Sequence, residues 1–195
     1  PRALTMKLRR LNGTAGTRLS KSLLRLMNIS PLMNTSIVYH GTICNPRTME
    51  IVMNSLGGYN IEDLQTGMSA SIAKTVTEAD IVLFAGISTD VNPMHLNEEW
   101  AKTTQFGGRI AHGMLSAGFI SAVLANKLPG PGTVYLGQTL KFKAPVRIGD
   151  TVTATVTVRE LNVGRRRCVM DSVCTVNGKT VIEGESTLYC TTGEA

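Results

Sequence analysis

The sequence lacks the motifs of several common kinds of site. It has no glycine-rich phosphate loop, no cluster of metal-ligating side chains and no Ser-His-Asp ordering. These absences argue against a P-loop nucleotide site, a metal site and a serine hydrolase. The cysteines have no CxxC spacing; they are Cys44, Cys168, Cys174 and Cys190. We therefore expect no metal and no cofactor, and we expect buried free thiols in a reducing compartment.

Acidic residues are missing from the start of the chain. Residues 1–49 hold eight basic side chains and no acidic one, whereas residues 50–195 hold twelve basic and fourteen acidic ones, a formal charge of −2. The overall charge of +6 therefore comes from the first 49 residues. The near-neutral remainder gives no reason to expect a nucleic-acid partner.

The basic leader, residues 1–52, is rich in Arg, Ser, Thr and Asn. An Arg-rich, Ser-rich and acid-free composition is typical of a mitochondrial transit peptide. The favoured alternative is that the leader is not part of the mature protein, since the chain begins at Pro1, and Met49 or Met53 precedes the first ordered-looking sequence. In either case we expect disorder in the leader and one domain over residues 53–195. The protein is expected in the cytoplasm, or in the mitochondrial matrix if the leader is a transit peptide.

Residues 112–129 are the segment around which the rest of the chain is organised. From Met114 to Ala125 this segment carries no charge, and large apolar side chains fall on every side of a helical wheel. A helix that is apolar all round is buried on all sides. This one is too short to span a membrane, which takes about 20 apolar residues. We predict a helix from Met114 to Asn126 with almost no solvent exposure, and no membrane partner.

Five segments have the pattern of β-strands. They are residues 68–76, 133–143, 151–161, 165–176 and 179–190. In the third, valines and an alanine alternate with threonines, which is typical of an antiparallel strand with one face in the core. In the second, alternation places Val134 and Leu136 on the same face as Leu140 and Phe142.

An antiparallel sheet of about five strands, curved around one long buried helix, is the hot-dog arrangement, an α+β fold. Asn177-Gly178 predicts a tight hairpin between the last two strands. A β-sandwich is disfavoured because its core lies between two sheets and contains no central helix.

Two short helices are predicted between the first strand and the central helix. Thr77 caps the first, over residues 78–86, which buries Ile81, Val82 and Phe84. Asn97 caps the second, which ends near residues 107–108. Residues 88–96 between them form a non-helical turn, because proline at position 93 has no N–H to donate.

The turn Asp90-Val-Asn-Pro-Met-His95 places a carboxylate and an imidazole five residues apart. Asp and His in one rigid loop can hold a water between them, which general acid–base catalysis requires. On spacing alone, the more common interpretation is that Asp90 forms the turn and His95 packs before the Asn97 cap.

With its neighbours, this turn resembles a known family. The resemblance covers the chain from about Gly57 to its end and rests on Phe84-Ala-Gly-Ile-Ser-Thr-Asp-Val-Asn-Pro-Met-His-Leu-Asn97, Gly108-Arg-Ile-Ala-His-Gly-Met-Leu115, Leu128-Pro-Gly-Pro-Gly132 and Tyr135-Leu-Gly-Gln138. These segments are similar to those of the MaoC-like (R)-specific enoyl-CoA hydratases, which have the hot-dog fold, and the Asp-x-Asn-Pro-x-His core is highly specific. One departure is Thr89, where the family usually has Gly, which changes the dihedral freedom of the loop.

The resemblance implies reversible addition of water to a trans-2-enoyl thioester, giving the (R)-3-hydroxyacyl thioester. Asp90 and His95 would act on one water as a unit. The backbone N–H of Gly113 would bind the thioester oxygen at the start of the central helix, although a plain packing glycine is an equal interpretation from sequence. Asn92 would orient the loop. Ser121 would hydrogen-bond Asp90, or else its own helix backbone.

The remaining expectations concern partners. Lys141, Lys143 and Arg147 are candidate ligands for coenzyme A phosphates, with a solvated strand face as the alternative. His112 is expected to be a structural histidine satisfied by backbone. The substrate would be an acyl thioester of coenzyme A or acyl carrier protein. We also expect a homodimer, because one sheet edge would otherwise stay open.

Three other functions compete. A hot-dog thioesterase would hydrolyse the thioester, and the Asp-x-Asn-Pro-x-His turn argues against it. A non-catalytic acyl-binding subunit is disfavoured because Asp90 and His95 are both present. A nucleic-acid binder would rest on the leader alone.

Overall fold

A computed structural model of the chain describes residues 53–193. The expectations for the leader, including Cys44, lie outside the described residues.

The described chain contains five β-strands and four α-helices. In chain order they are β1 (Ser69–Thr75), α1 (Glu78–Ser88), α2 (Pro93–Leu96), α3 (Glu98–Lys102), α4 (Gly113–Asn126), β2 (Val134–Phe142), β3 (Thr151–Asn162), β4 (Arg167–Val176) and β5 (Lys179–Tyr189), with 3-10 turns at Ile61–Asp63 and Val163–Arg165. The strands form one antiparallel sheet in the order β1-β3-β4-β5-β2. The predicted hot-dog sheet of five antiparallel strands is confirmed.

The core lies between the sheet and one side of α4, which packs against β1, β3 and β4. The inward side chains of β3 are Val152, Ala154, Val156 and Val158, each at most 1% exposed. Facing them on α4 are Ile120, Val123 and Leu124. The alternation of apolar residues with threonine therefore predicted the inner face of β3 correctly.

The prediction of an almost fully enclosed central helix is wrong for the single chain. Ser116 and Ala117 are buried, but Met114 is 55% exposed, and Gly118 and Ala125 are exposed too. A sheet covers one side of a helix, so the opposite side of α4, which carries small residues, stays open in one copy of the chain.

Strand β2 departs from the predicted alternation because it contains a β-bulge. The register shifts between Tyr135 and Gly137, so Leu136 has no partner on β5. One extra residue reverses the inward and outward faces on one side of the bulge. Val134 and Leu136 are therefore about half exposed, whereas the Tyr135 hydroxyl lies 3.0 Å from Ser186 Oγ.

Helix α1 begins as predicted and ends later. Thr77 and Asp80 form a reciprocal capping box, in which each side chain accepts a hydrogen bond from the other's backbone N–H. The helix continues to Ser88, two residues beyond the predicted end. Ile81 is fully buried as predicted, but Val82 is exposed, because one face of α1 lies in solvent. Helix α3 is also shorter than predicted, ending at Lys102.

The β4–β5 hairpin is confirmed, and Asn177 and Gly178 both have positive φ, as a type I′ turn requires.

The three described cysteines, Cys168, Cys174 and Cys190, are free and buried, as expected. Burial raises the pKa of the Cys174 thiol to about 12. Within residues 53–193, no helix combines the length and apolarity needed to cross a membrane.

Candidate active site

Asp90 follows α1 at a sharp change of chain direction. The change is made by Thr89, whose φ of 61° and ψ of 12° are left-handed. The N–H of Asp90 donates to Ser88 Oγ at 3.2 Å, and Asp90 Oδ1 accepts the N–H of Asn92 at 3.2 Å. The second of these bonds forms an Asx turn, which leaves Oδ2 available for chemistry.

Asn92 connects this turn to helix α2. Its side chain accepts the N–H of Met94, and Pro93 occupies the first helical position, where the missing N–H costs nothing. Residues 93–96 are therefore one helical turn, which corrects the prediction of a non-helical segment. The turn carries His95 from the surface into the protein, where its side chain is only 7% exposed.

The orientation of the His95 ring determines which of its nitrogens can react. Nδ1 lies 2.8 Å from the carbonyl oxygen of Ile110. A carbonyl can only accept, so Nδ1 carries the proton and Nε2 carries the lone pair. Nε2 faces Asp90 Oδ2 at 3.9 Å. Burial, reinforced by the neighbouring His112, holds the pKa of His95 below its usual value, so the ring is a neutral acceptor near neutral pH.

His112 joins the site from the other direction, as the residue that precedes α4. Its Nε2 donates to the backbone carbonyl of Asp90 at 2.9 Å, as expected of a histidine satisfied by backbone. Its ring also stacks on that of His95, with centroids 3.8 Å apart and planes inclined by 29°. No local pattern in the sequence reveals this second contact.

A cavity of about 440 Å³ opens beside these residues. Asp90, His95 and Gly113 line it together with apolar side chains, among them Phe142 and Ile182. An apolar cavity with a few convergent polar groups is the usual form of a site for a small organic substrate.

The family of the chain follows from its sequence profile. The family described as MaoC like domain matches residues 61–180. The chain belongs to the MaoC-like family. Over 127 residues it is 64% identical to an (R)-specific enoyl-CoA hydratase of Rhodospirillum rubrum, a match that covers 65% of this chain and 88% of the relative.

Two further likenesses agree with this family. The MaoC-like chain is 50% identical over 125 residues to a 3-hydroxybutyryl-CoA dehydratase of Methylorubrum extorquens, covering 64% of this chain and 80% of the relative. The solved structure of an unliganded (R)-hydratase from Pseudomonas aeruginosa is similar with a TM-score of 0.66 and 42% identity, covering 69% of this chain and 87% of that one.

Gly113 is the first residue of α4 in this MaoC-like domain and lines the cavity. The first N–H groups of a helix have no partner inside it, and the helix dipole makes them attractive to negative charge. A Cβ at this position would lie 2.5 Å from Cε1 of Phe142. The glycine therefore lets an aromatic ring, or an equally flat group, approach the start of the helix.

The structure brings together only some of the predicted supporting residues. Ser121 is partly buried on α4 and lies outside the cavity lining, and the bonds of Asp90 described above do not include it. Of the three basic candidates, Lys143 lines the cavity, with Nζ 3.1 Å from Glu183. Arg147 donates to the carbonyl of Phe106 instead. Lys141 is exposed on β2, outside the cavity lining.

Ser116 belongs to the site and was not predicted from the sequence. It lines the cavity and is 1% exposed, and its Oγ has no hydrogen-bond partner among residues 53–193. It stands three positions after Gly113, which places both on one face of α4. That spacing was available in the sequence as a signal.

Proposed function

We propose that this chain is an (R)-specific enoyl-CoA hydratase, a hydro-lyase that adds water reversibly to the double bond of a trans-2-enoyl thioester. The product is the (R)-3-hydroxyacyl thioester. The observation that carries this conclusion is the facing pair of Asp90 Oδ2 and His95 Nε2, 3.9 Å apart at one cavity. The 64% identity to a relative with this activity supports it.

The separation of the pair suits one bridging water. The two acceptor atoms are 3.9 Å apart, and a water donates hydrogen bonds of about 2.8 Å. If one water donates to both atoms, the two hydrogen bonds meet at the water oxygen at an angle of about 90°. That angle is close to the one between the two O–H bonds of water. Asp90 and His95 can therefore both accept from the same water and direct a lone pair of its oxygen towards the substrate.

Hydration then proceeds by general acid–base catalysis. The pair removes a proton from the water as its oxygen attacks the β-carbon, and the pair returns a proton to the α-carbon. Because the two groups share one water, the proton belongs to the pair and not to one residue.

Charge develops on the thioester oxygen when water adds. We assign its stabilisation to the N–H of Gly113, because that group opens α4 and lines the same cavity as Asp90. Preorganised donors of this kind contribute a large share of catalysis in acyl chemistry. Lys143 is the basic side chain at the cavity and would meet a phosphate of coenzyme A.

We also propose a homodimer. The open side of α4 and the exposed Val134 and Leu136 of β2 support it, because β2 is an outer strand of the sheet. A second copy would cover both features. Light scattering at micromolar concentration tests the dimer.

A reducing compartment, the cytoplasm in our proposal, fits the three buried free thiols.

The deciding experiment is hydration of crotonyl-CoA, followed by loss of the enoyl thioester absorbance, with the chirality of the product determined. We expect (R)-3-hydroxybutyryl-CoA and no free thiol. Release of thiol from a saturated acyl-CoA would instead indicate a thioesterase. Folded protein that leaves crotonyl-CoA unchanged, or that forms the (S) product, would refute the proposal.

A further inference from the structure

We propose that His112 is a positioning residue for hydration, which holds Asp90 and His95 in their reacting geometry through one hydrogen bond and one ring stack. This inference rests on the proposed function, because it assumes that Asp90 and His95 are the reacting pair. His112 itself stands behind them and acts through them.

The hydrogen bond fixes the backbone of Asp90. The Asp90 side chain is 50% exposed. Its loop is otherwise held by an Asx turn, by the left-handed Thr89 and by the bond from the Asp90 N–H to Ser88 Oγ. His112 is 1% exposed and sits at the start of the central helix. Its N–H therefore ties an exposed catalytic loop to the start of the central helix through a partly buried hydrogen bond.

The ring stack fixes His95. The Ile110 carbonyl sets the direction of Nδ1, but one hydrogen bond leaves the ring free to tilt about that contact. The His112 ring lies against the face of His95 at 3.8 Å. The His112 ring also packs against Phe84 of α1, with the two centroids 5.0 Å apart. Tilting His95 would move Nε2 away from Asp90 Oδ2.

The tautomer of His112 follows from the same contact. Nε2 must carry its proton because the partner is a carbonyl oxygen. Nδ1 has no partner in the described part of the chain.

Two substitutions separate the two contacts. His112→Gln keeps an N–H donor near the position of Nε2 and loses the ring, whereas His112→Phe keeps a stacking ring and loses the donor. We measure kcat and KM for crotonyl-CoA per folded molecule, with melting temperature and circular dichroism on the same samples.

A displaced catalytic group typically costs on the order of a hundredfold in rate. We therefore expect His112→Phe to lower kcat by roughly tenfold to a hundredfold with little change in KM. His112→Gln should recover a large part of that loss. If both variants fold and keep kcat within about twofold of the unsubstituted enzyme, or if activity falls only with the folded fraction, the inference is overturned.

A double substitution tests whether His112 acts through Asp90. In the Asp90→Asn background, His112→Phe should lower kcat by much less than it does alone, because the group that it positions has already lost its function. Multiplicative losses would show that His112 works independently of Asp90 and would overturn the inference.

One measurement needs no change at His112 and therefore survives any folding defect. Nitrogen-15 NMR of the full chain should show a ring N–H on Nε2 of one histidine and on Nδ1 of another, both protected from exchange. The chain has three histidines, so His40→Gln and His95→Gln together assign all three. Absence of a proton from Nε2 of His112 would overturn the inference. Failure of the unsubstituted enzyme to hydrate crotonyl-CoA would instead refute the proposed function, and the two failures are thus distinguishable.

Discussion

Thr89 offers a direct test of the loop that carries Asp90, because it is a β-branched residue at φ 61°. The left-handed region costs an ordinary residue roughly 1–2 kcal/mol, and glycine adopts it freely. Glycine also has about 0.5–1 kcal/mol more chain entropy to lose on folding. We therefore expect Thr89→Gly to raise the free energy of unfolding by about 0.5–1 kcal/mol, although a flexible residue replaces a stiff one.

Thr103 is a matched control. Like Thr89, it is an exposed residue at a helix C-terminus whose Oγ1 donates to a nearby backbone carbonyl at 2.7 Å. Its φ is −79°, so glycine there relieves no strain. Thr103→Gly should lower the free energy of unfolding by about 0.5–1 kcal/mol.

Thermal and urea unfolding of the two variants beside the parent protein measure the difference. In a domain of this size, about 1 kcal/mol corresponds to roughly 2–4 °C in Tm, so the two variants should move in opposite directions by a few degrees. If Thr89→Gly destabilises as much as Thr103→Gly, then Thr89 carries no strain and the reasoning fails.

Four further outcomes follow from the site. Asp90→Asn and His95→Gln should each lower the hydration rate at least about a hundredfold. The double variant should lose far less than the product of the two single losses, because both residues act on one water. Steady-state rates per folded molecule measure this, and a full multiplicative loss would contradict a shared water. Because the pKa of His95 is lowered from 6.5, the unfolded state binds its proton first, so stability should fall as pH drops below about 6.5; urea unfolding across pH should show that His95→Gln removes part of this slope. Gly113→Val should abolish turnover while Tm moves little, since the displaced Phe142 ring is half exposed and can swing aside; near-normal turnover by a folded variant would remove Gly113 from the site. Ser116→Ala removes a buried hydroxyl without a partner among the described residues, so the free energy of unfolding should stay level or rise by up to about 1 kcal/mol. Urea unfolding measures this, and a marked loss of stability would show that the hydroxyl is satisfied.

The burial of His95 changes one expectation about the stability of the two catalytic variants. The sequence suggested that both catalytic residues lie on a loop, where either substitution would affect folding little. Asp90 does lie there, but His95 is nearly buried and bonded to Ile110. A loss of stability is therefore expected for His95→Gln and not for Asp90→Asn.

The sequence predicted the elements whose signals are local. Alternation in β3, the Asn177-Gly178 turn and the Thr77 cap each depend on residues within a few positions of one another, and all three are confirmed. The catalytic turn was found for the same reason, since Asp90 and His95 are near neighbours in the chain.

The predictions that failed concern features that depend on contacts between parts of the chain that are distant in sequence. An apolar wheel shows that α4 needs covering, but it does not show that the sheet covers only one side. The bulge at Leu136 is invisible to a two-residue period. The stack between His95 and His112 joins residues 17 positions apart in the numbering, and only the approach of α2 to the start of α4 creates it.

The hydrogen bond from His95 to Ile110 has a stereochemical consequence. One nitrogen of the catalytic ring is permanently committed to a backbone carbonyl, so protons enter and leave the imidazole through Nε2 alone. That atom faces Asp90 Oδ2, and the water that we propose would lie between the two. The hydroxyl and the new hydrogen should therefore reach a single face of the flat enoyl group, and hydration in heavy water would deliver oxygen and deuterium in a syn relationship.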